Sequence, residues 1–246
     1  MKLKDKVALV TGAGGDLGRG MALEFAKEGA KVVVNDINGE KAGETVQMIT
    51  SKGDIATGDS SDLTDSKAVL KMVDKVIKEN GDLHILVNSA GDIRDAQLVK
   101  MSDEEWDFVL DLNLKASFVC ARAVAPHMIK KRYGKILNLS SMAYKGNIGQ
   151  VNYTSAKAGV VGLTQALGLE LARYNINVNC IAPGLINTPK SATLDERVRN
   201  YLIKKIPMQC MGEITDIAKT ALFLVSDDAQ FITRQIIHVS GGMEGF

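Results

Sequence analysis

The sequence predicts an α/β domain, a parallel sheet of about seven strands with helices on both faces, and three observations carry this. Short apolar, β-branched runs alternate with stretches of helical periodicity along the whole chain. No linker, short repeat or low-complexity segment interrupts the alternation, so residues 1–246 read as a single domain. The clusters of Gly, Asn, Ser and Pro fall just after the strand-like runs, where ligands of such sheets bind.

Taken in order, Val7-Ala8-Leu9-Val10 is apolar throughout and reads as a strand buried on both faces. Gly12-Ala13-Gly14-Gly15-Asp16-Leu17-Gly18 follows, then a helical pattern that ends at Gly29. Strand, glycine-rich turn and helix form the context in which backbone amides and a helix N-terminus receive a pyrophosphate. Lys31 to Asp36 is the second strand, and Asp36, 24 residues after Gly12, stands where an acidic side chain accepts hydrogen bonds from an adenosine ribose. Residues 41–52 read as a helix, 55–58 as a strand, 64–80 as a helix and 83–88 as a strand leading into Asn88-Ser89-Ala90-Gly91. Ser102-Asp103-Glu104-Glu105 is a capping box that opens a long helix reaching residue 131, with a bend expected at Pro126. Strand 136–140 ends at Ser140-Ser141, and a helix holding Tyr153 runs to about residue 174. Strand 176–182 is closed by Pro183-Gly184; a helix at 194–205, a last helix at 215–226 and a last strand at 236–239 follow.

The chemistry centres on Tyr153 and Lys157. Residues four apart share one helix face. A lysine ammonium beside a phenol favours the phenolate and brings a group with pKa of about 10 toward use as a general acid–base. Composition excludes other classes. The net charge of +1 gives no electrostatic reason to expect nucleic acid or an anionic membrane as a partner. No apolar run is long enough to span a bilayer. Cys120, Cys180 and Cys210 are far apart, as are His84, His127 and His238, which argues against disulfides and against a metal site. With no leader-like pattern over residues 1–6, the expectation is a cytoplasmic protein.

At this point the sequence resembles the short-chain dehydrogenase/reductase family over essentially its whole length. The resemblance rests on Thr11-Gly12 and the turn after it, Asn88-Ser89-Ala90-Gly91, Asn113, Asn138-Leu139-Ser140-Ser141, Tyr153-x-x-x-Lys157, and Pro183-Gly184 with Thr188. It implies a Rossmann-type fold. It implies that Tyr153 exchanges a proton with a substrate oxygen, that Lys157 lowers the Tyr153 pKa and holds the nicotinamide ribose, that Ser141 positions the substrate oxygen, and that Asn113 holds a water leading from Lys157 to solvent. For the dinucleotide it implies Gly12, Gly18 and the residues between them (Gly15, Asp16, Leu17) at the pyrophosphate. Asp62 and Leu63 would lie at adenine, Asn88, Ala90 and Gly91 along the adenosine and ribose, and Ile186 and Thr188 at the carboxamide, with Pro183 and Gly184 lining the crevice. A homo-oligomer, usually a tetramer, is implied as well.

Two departures stand out. The family turn has glycine where Asp16 stands; a left-handed Asp16 that points away from the phosphates is expected. Ser141 lies 12 residues before Tyr153, whereas Ser140 has the family spacing of 13; strand register favours Ser141. Asp36 followed by Ile37, with no basic residue in the turn, favours NAD over NADP. The segment 185–213 should cover a medium-sized, partly apolar alcohol or ketone. Much of the chain is also similar to 3-oxoacyl-acyl-carrier-protein reductases, which makes an acyl thioester the alternative substrate. Arg132 and Arg173 fall where those enzymes face an acidic carrier, although an ordinary surface role suits both residues. A dinucleotide-binding sensor without turnover is the remaining class.

Overall fold

The structure, a computed structural model, describes residues 1–245. Strands β1 (Val7–Thr11), β2 (Lys31–Asn35), β3 (Ala56–Asp59), β4 (Ile85–Asn88), β5 (Gly134–Leu139), β6 (Ile176–Pro183) and β9 (Ile236–Val239) form one seven-stranded sheet. The strand order is β3-β2-β1-β4-β5-β6-β9, and every neighbouring pair is parallel. Successive side chains of a strand face opposite sides. Ala8 and Val10 of β1 therefore join one core with Met21, Phe25, Ile217 and Leu222, while Val7 and Leu9 join a second with Val73, Val124 and Met128. Helices α1 (Asp16–Lys27), α2 (Gly39–Thr50) and α9 (Ile214–Val225) supply the first layer, and α3 (Ser66–Asn80) and α5 (Ala116–Lys131) the second. All five residues of β1 and all eight of β6 are buried, as strands covered on both faces must be, and the polar Asn177 and Asn179 of β6 donate to Ile232 O at 3.0 and 2.8 Å.

The expected long helix is three pieces. α4 (Asp103–Leu110) starts at the capping box of Ser102 and Glu105, passes through a π-helical turn at Asp111–Lys115, and continues as α5. Asn113 accounts for the π turn. Its Nδ2 donates to Val109 O at 2.9 Å, the carbonyl that its own backbone N–H would take in an α-helix. The irregularity thus sits at Asn113, whereas α5 runs through Pro126 without ending there. α5 stops in left-handed geometry at Arg132 (φ 52°). Arg132 donates to Arg173 O at 3.1 Å, and Asn175 donates to Arg132 O at 3.1 Å. This ties together the starts of β5 and β6, so both arginines lie at the amino-terminal edge of the sheet. At that edge His84 Nδ1 accepts the Val7 N–H at 3.0 Å and His127 contacts Asp82 at 2.6 Å, structural uses for both rings.

After β6 the chain forms β7 (Ile186–Asn187), α7 (Pro189–Ala192), α8 (Glu196–Lys204) and β8 (Gly212–Glu213), β7 pairing with β8. Leu185, Ile206 and Met243, with Leu194, Leu202, Ile203 and Met211 packed on them, give this segment a small core of its own.

Candidate active site

Strand order reverses between β1 and β4: α1 leaves the end of one strand on one face, and the chain after β4 turns to the other. Thr11 fixes this point. Its hydroxyl donates to Val87 O at 3.1 Å and accepts the N–H groups of Ser89 at 3.0 Å and Ala90 at 3.3 Å. Gly12 then needs both a positive φ of 62° and the absence of a side chain, because a Cβ there would stand 2.7 Å from Ala90 Cα. A Cβ on Gly18 would collide with the Gly12 carbonyl, so glycine there lets α1 start against the turn.

Asp16 is not left-handed. Gly15 is the N-cap of α1, at φ −89° and ψ 167°, and Asp16 is the first helical residue. Helical φ at this position demands no glycine. A carboxylate in the first turn is also favourably placed toward the positive end of the helix dipole. Asp16 is one of the residues that line the cavity.

A cavity of about 870 Å³ runs from this turn in two directions. At one end stand Asp36, Asp62 and Leu63. The Asp36 carboxylate accepts the Gly14 N–H at 3.1 Å and the Asn38 N–H at 3.0 Å, so it braces the glycine turn as well as facing the cavity. Lys41 of α2 lines the same end, a cation that inspection of the turn and of residue 37 does not find because it arrives from the next helix.

At the other end α6 (Val151–Leu171) brings in Tyr153 and Lys157. Lys157 is buried, donates to Leu139 O at 2.9 Å, and has its Nζ 5.5 Å from the centre of the Tyr153 ring. Gly91 packs beside them: a Cβ there would collide with Asn113 Oδ1 and stand 3.4 Å from Lys157 Nζ. Asn113 Nδ2 also donates to Asp92 O at 2.8 Å, while its buried Oδ1 has no partner. The two serines part company. Ser140 is buried and its hydroxyl donates to Lys157 O at 2.9 Å. Ser141 Oγ accepts the Ala143 N–H at 3.2 Å, which leaves its proton free for the Tyr153 phenol, and that contact acts to lower the phenol pKa.

Burial dominates the proton affinities of this pair. It pushes the Tyr153 phenol up to about 12 against the smaller lowering effect of Ser141, and the Asp95 and Asp92 carboxylates add to the rise. Burial pushes the Lys157 ammonium down to about 8. The expected lowering of the tyrosine by Lys157 is therefore not the governing effect in the protein alone. Desolvation disfavours both charged forms, and at neutral pH the resting pair is a phenol beside an ammonium.

Most of the residues expected from the sequence line this one cavity: Gly12, Gly15, Asp16, Leu17, Gly18, Asp36, Asp62, Leu63, Ala90, Gly91, Asn113, Tyr153, Lys157 and Thr188. Asn88, Ser141, Pro183, Gly184 and Ile186 do not. Asn88 is buried at the strand end, donates to Asn138 Oδ1 at 2.8 Å, and keeps an unpartnered Oδ1. Gly184 gives room to Ser240, whose Cα would lie 2.8 Å from a Cβ at that position, and Ile186 belongs to the first core.

Residues 12–244 match the sequence model of the family described as enoyl-(acyl carrier protein) reductase. The chain is 44% identical over 246 residues, all of this chain and 99% of the relative, to the (2S)-[(R)-hydroxy(phenyl)methyl]succinyl-CoA dehydrogenase subunit BbsD of Thauera aromatica. It is 43% identical to the 3-oxoacyl-[acyl-carrier-protein] reductase FabG of Staphylococcus aureus, over 97% of this chain and 98% of that one. The FabG of Thermotoga maritima is 40% identical over 99% of each chain. The chain belongs to the short-chain dehydrogenase/reductase family. This short-chain dehydrogenase/reductase is an oxidoreductase that interconverts an alcohol and a carbonyl group with a nicotinamide dinucleotide. No helix among the described residues is long and apolar enough to cross a membrane.

Proposed function

We propose that this short-chain dehydrogenase/reductase is NAD(H)-dependent and acts on a secondary alcohol or its ketone, with Tyr153 as general acid–base. The observation that carries the reading is the Tyr153–Lys157 pair at one end of a cavity whose other end is Asp36. The residues suit a dinucleotide: the turn at Gly12–Gly18 opens α1 with its first N–H groups toward the cavity, and the unpartnered Oδ1 of Asn113 faces the Lys157 side. Bound there, the nicotinamide supplies or accepts the hydride.

The chain's own residues do the rest. Ser141 donates to the substrate oxygen and holds it at the Tyr153 hydroxyl. Tyr153 takes the alcohol proton as the carbonyl forms, or gives it back in reduction. Lys157 is buried and cationic below its pKa of about 8, so it stabilises negative charge on the phenol oxygen as the proton leaves. Asn113 Oδ1 offers an acceptor through which a water relays that proton. Asp36 supports NAD(H) over NADP(H), because its carboxylate stands at the turn where a 2′-phosphate would have to lie, while Lys41 is exposed and screened by solvent.

An acyl thioester is the second reading for the substrate, since the similar proteins are named for CoA and acyl-carrier substrates. Arg132 and Arg173 do not support a carrier at the same protomer's cavity, because they sit at the opposite edge of the sheet. A tetramer built on α5 and α6 fits the exposure of Phe118 and Leu169, and a sedimentation experiment tests it. A reducing cytoplasm suits three unpaired cysteines. To test the whole reading, the enzyme is mixed with NAD or NADP and a panel of secondary alcohols and 3-hydroxyacyl thioesters, then run in reverse with the matching ketones. NAD-linked turnover that is lost in Tyr153→Phe is expected; a tenfold or greater preference for NADP(H) overturns the cofactor assignment.

A further inference from the structure

Asp92 and Lys190 face each other across the cavity wall; the Asp92 carboxylate acts on the Tyr153 phenol from a distance, and their ion pair has had no role so far. Asp92 follows Gly91, so it lies one residue from the contact with Lys157, and its carbonyl is fixed by Asn113 Nδ2 at 2.8 Å. Lys190 is the second residue of α7. Its backbone is fixed as well, by the reciprocal bonds of Thr188 and Ser191 at 3.1 and 2.9 Å. Only the lysine side chain is loose. Asp92 Oδ2 takes Arg94 at 2.7 Å and Oδ1 takes the Ile93 N–H at 2.9 Å, leaving Lys190 the longest contact, 3.5 Å from Oδ1. Burial acts to raise the Asp92 pKa, but Arg94, the Ile93 N–H and Lys190 together lower it, so the carboxylate stays ionised. The Lys190 side chain is 65% exposed, and an ion pair this long and this wet is held weakly. Arg94, Asp92 and Lys190 leave one positive charge in excess at the wall.

We propose that Lys190 is an anion-binding residue of this site, Asp92 being its resting partner: when ligand binds, the ammonium leaves Asp92 for an anionic oxygen of that ligand, either a phosphate of the dinucleotide or a carboxylate of the substrate. The proposal rests on the dehydrogenase reading for the identity of the ligand. Its physical content is a competition. Asp92 and the ligand anion share one cation, so removing the lysine weakens the ligand and neutralising the aspartate strengthens it. A clasp that merely held α7 in place would be broken by either change and would shift both variants the same way.

The test is therefore one of sign. NADH is titrated by fluorescence, without substrate, into wild type, Lys190→Gln and Asp92→Asn. In parallel, KM is measured for a 3-hydroxyacyl thioester with and without a terminal carboxylate. If the dinucleotide phosphate is the partner, K190Q weakens NADH at least fivefold and D92N tightens it at least twofold. If a substrate carboxylate is the partner, NADH binding is unchanged and the opposed shifts appear in KM for the carboxylated thioester alone. Shifts of one sign in both variants, or none in either arm, overturn the proposal. A wild type that neither binds NADH nor oxidises an alcohol overturns the dehydrogenase reading instead. Inorganic pyrophosphate, titrated calorimetrically into wild type and K190Q, then reads Lys190 alone in the phosphate arm: a loss of affinity in K190Q supports the dinucleotide phosphate as the partner, and equal affinities reject that arm.

Discussion

Ser140 and Ser141 are adjacent, and each has a claim in the sequence; exchanging each for alanine separates two physical roles. Ser140 is buried, with its hydroxyl on the Lys157 carbonyl at 2.9 Å. Losing a neutral hydrogen bond of this kind costs about 1 kcal/mol of stability, which for a chain of this size lowers Tm by roughly 2–4 °C. Turnover should fall less than about fivefold, because the Lys157 side chain keeps its bond to Leu139 O. Ser141 has the opposite profile. Its structural tie is one loop N–H, that of Ala143 at 3.2 Å, while its hydroxyl can donate elsewhere and acts to lower the Tyr153 pKa. Removing a donor that steadies developing oxyanion charge costs about 10²–10³ in kcat, or roughly 3–4 kcal/mol of barrier. Ser141→Ala should therefore melt within about 2 °C of wild type, a shift worth under about 1 kcal/mol, and lose at least a hundredfold in kcat. Thermal melts and steady-state kinetics on both variants decide it. A Ser140→Ala that loses more turnover than Ser141→Ala would falsify the assignment.

Other expected outcomes follow from the same geometry. Gly91→Ala drives a methyl into Asn113 Oδ1, which also strains the Asn113 bonds to Asp92 O and Val109 O; overpacking of about 1–3 kcal/mol should show as a lower Tm together with lost turnover. Asp36→Ala should weaken NAD and ease NADP, while Lys41→Ala should do the reverse to NADP; dissociation constants for both reduced cofactors check the pair. Lys157→Met should abolish turnover yet stabilise the fold at neutral pH. The Lys157 pKa falls on folding from 10.5 to about 8, so the unfolded chain binds the extra proton between those values and stability rises with pH across that window. Below about 8 the penalty is complete, roughly 3 kcal/mol, offset by about 1 kcal/mol for the lost bond to Leu139 O. A Tm several degrees above wild type at pH 7, with the gain fading by pH 10, is expected in calorimetry, and a lower Tm at pH 7 refutes it.

How much of this was legible in the sequence depends on the range of the physics. The seven-stranded parallel sheet follows from strand composition and alternation, because strands buried on both faces are predominantly apolar, and the last strand falls at 236–239 as its pattern predicts. The glycine turn and Tyr153-x-x-x-Lys157 are legible because each works over one or two helical turns. Asp16 misled for the same reason: a motif position suggests a backbone geometry, yet Gly15 does the capping and Asp16 is ordinary helix. The π turn was hidden because its cause is a side chain, that of Asn113, taking an acceptor from its own backbone, and asparagine in a helix does not announce that. Pro126 drew attention instead, a residue with a known local effect that α5 absorbs. Lys41, Asp92 and Lys190 were missed as a group, since each reaches the cavity from a different element and nothing within a short window relates them.

The proton affinities are the clearest case of a property with no local signature. A tyrosine and a lysine one turn apart suggest a lowered phenol pKa, yet burial pushes the phenol to about 12 and the ammonium to about 8. Both shifts come from the amount of protein around the pair, and Asp92 and Asp95 raise the phenol further from a loop some 60 residues upstream. Phenolate formation in this site therefore has to draw on charges that gather around Tyr153 during reaction: a retained Lys157 proton, the Ser141 hydroxyl and any reduction of the Asp92 charge. The last is testable on its own, because D92N should move the ascending limb of the alcohol-oxidation pH profile, where the phenol loses its proton, to lower pH. Asp95→Asn should shift it in the same direction; of the two bonds that Gln150 Nε2 donates to Asp95, at 3.0 and 3.1 Å, the amide oxygen keeps one. A profile that moves in neither variant would mean that the loop carboxylates are screened from the phenol, and that burial and the Ser141 hydroxyl set its pKa.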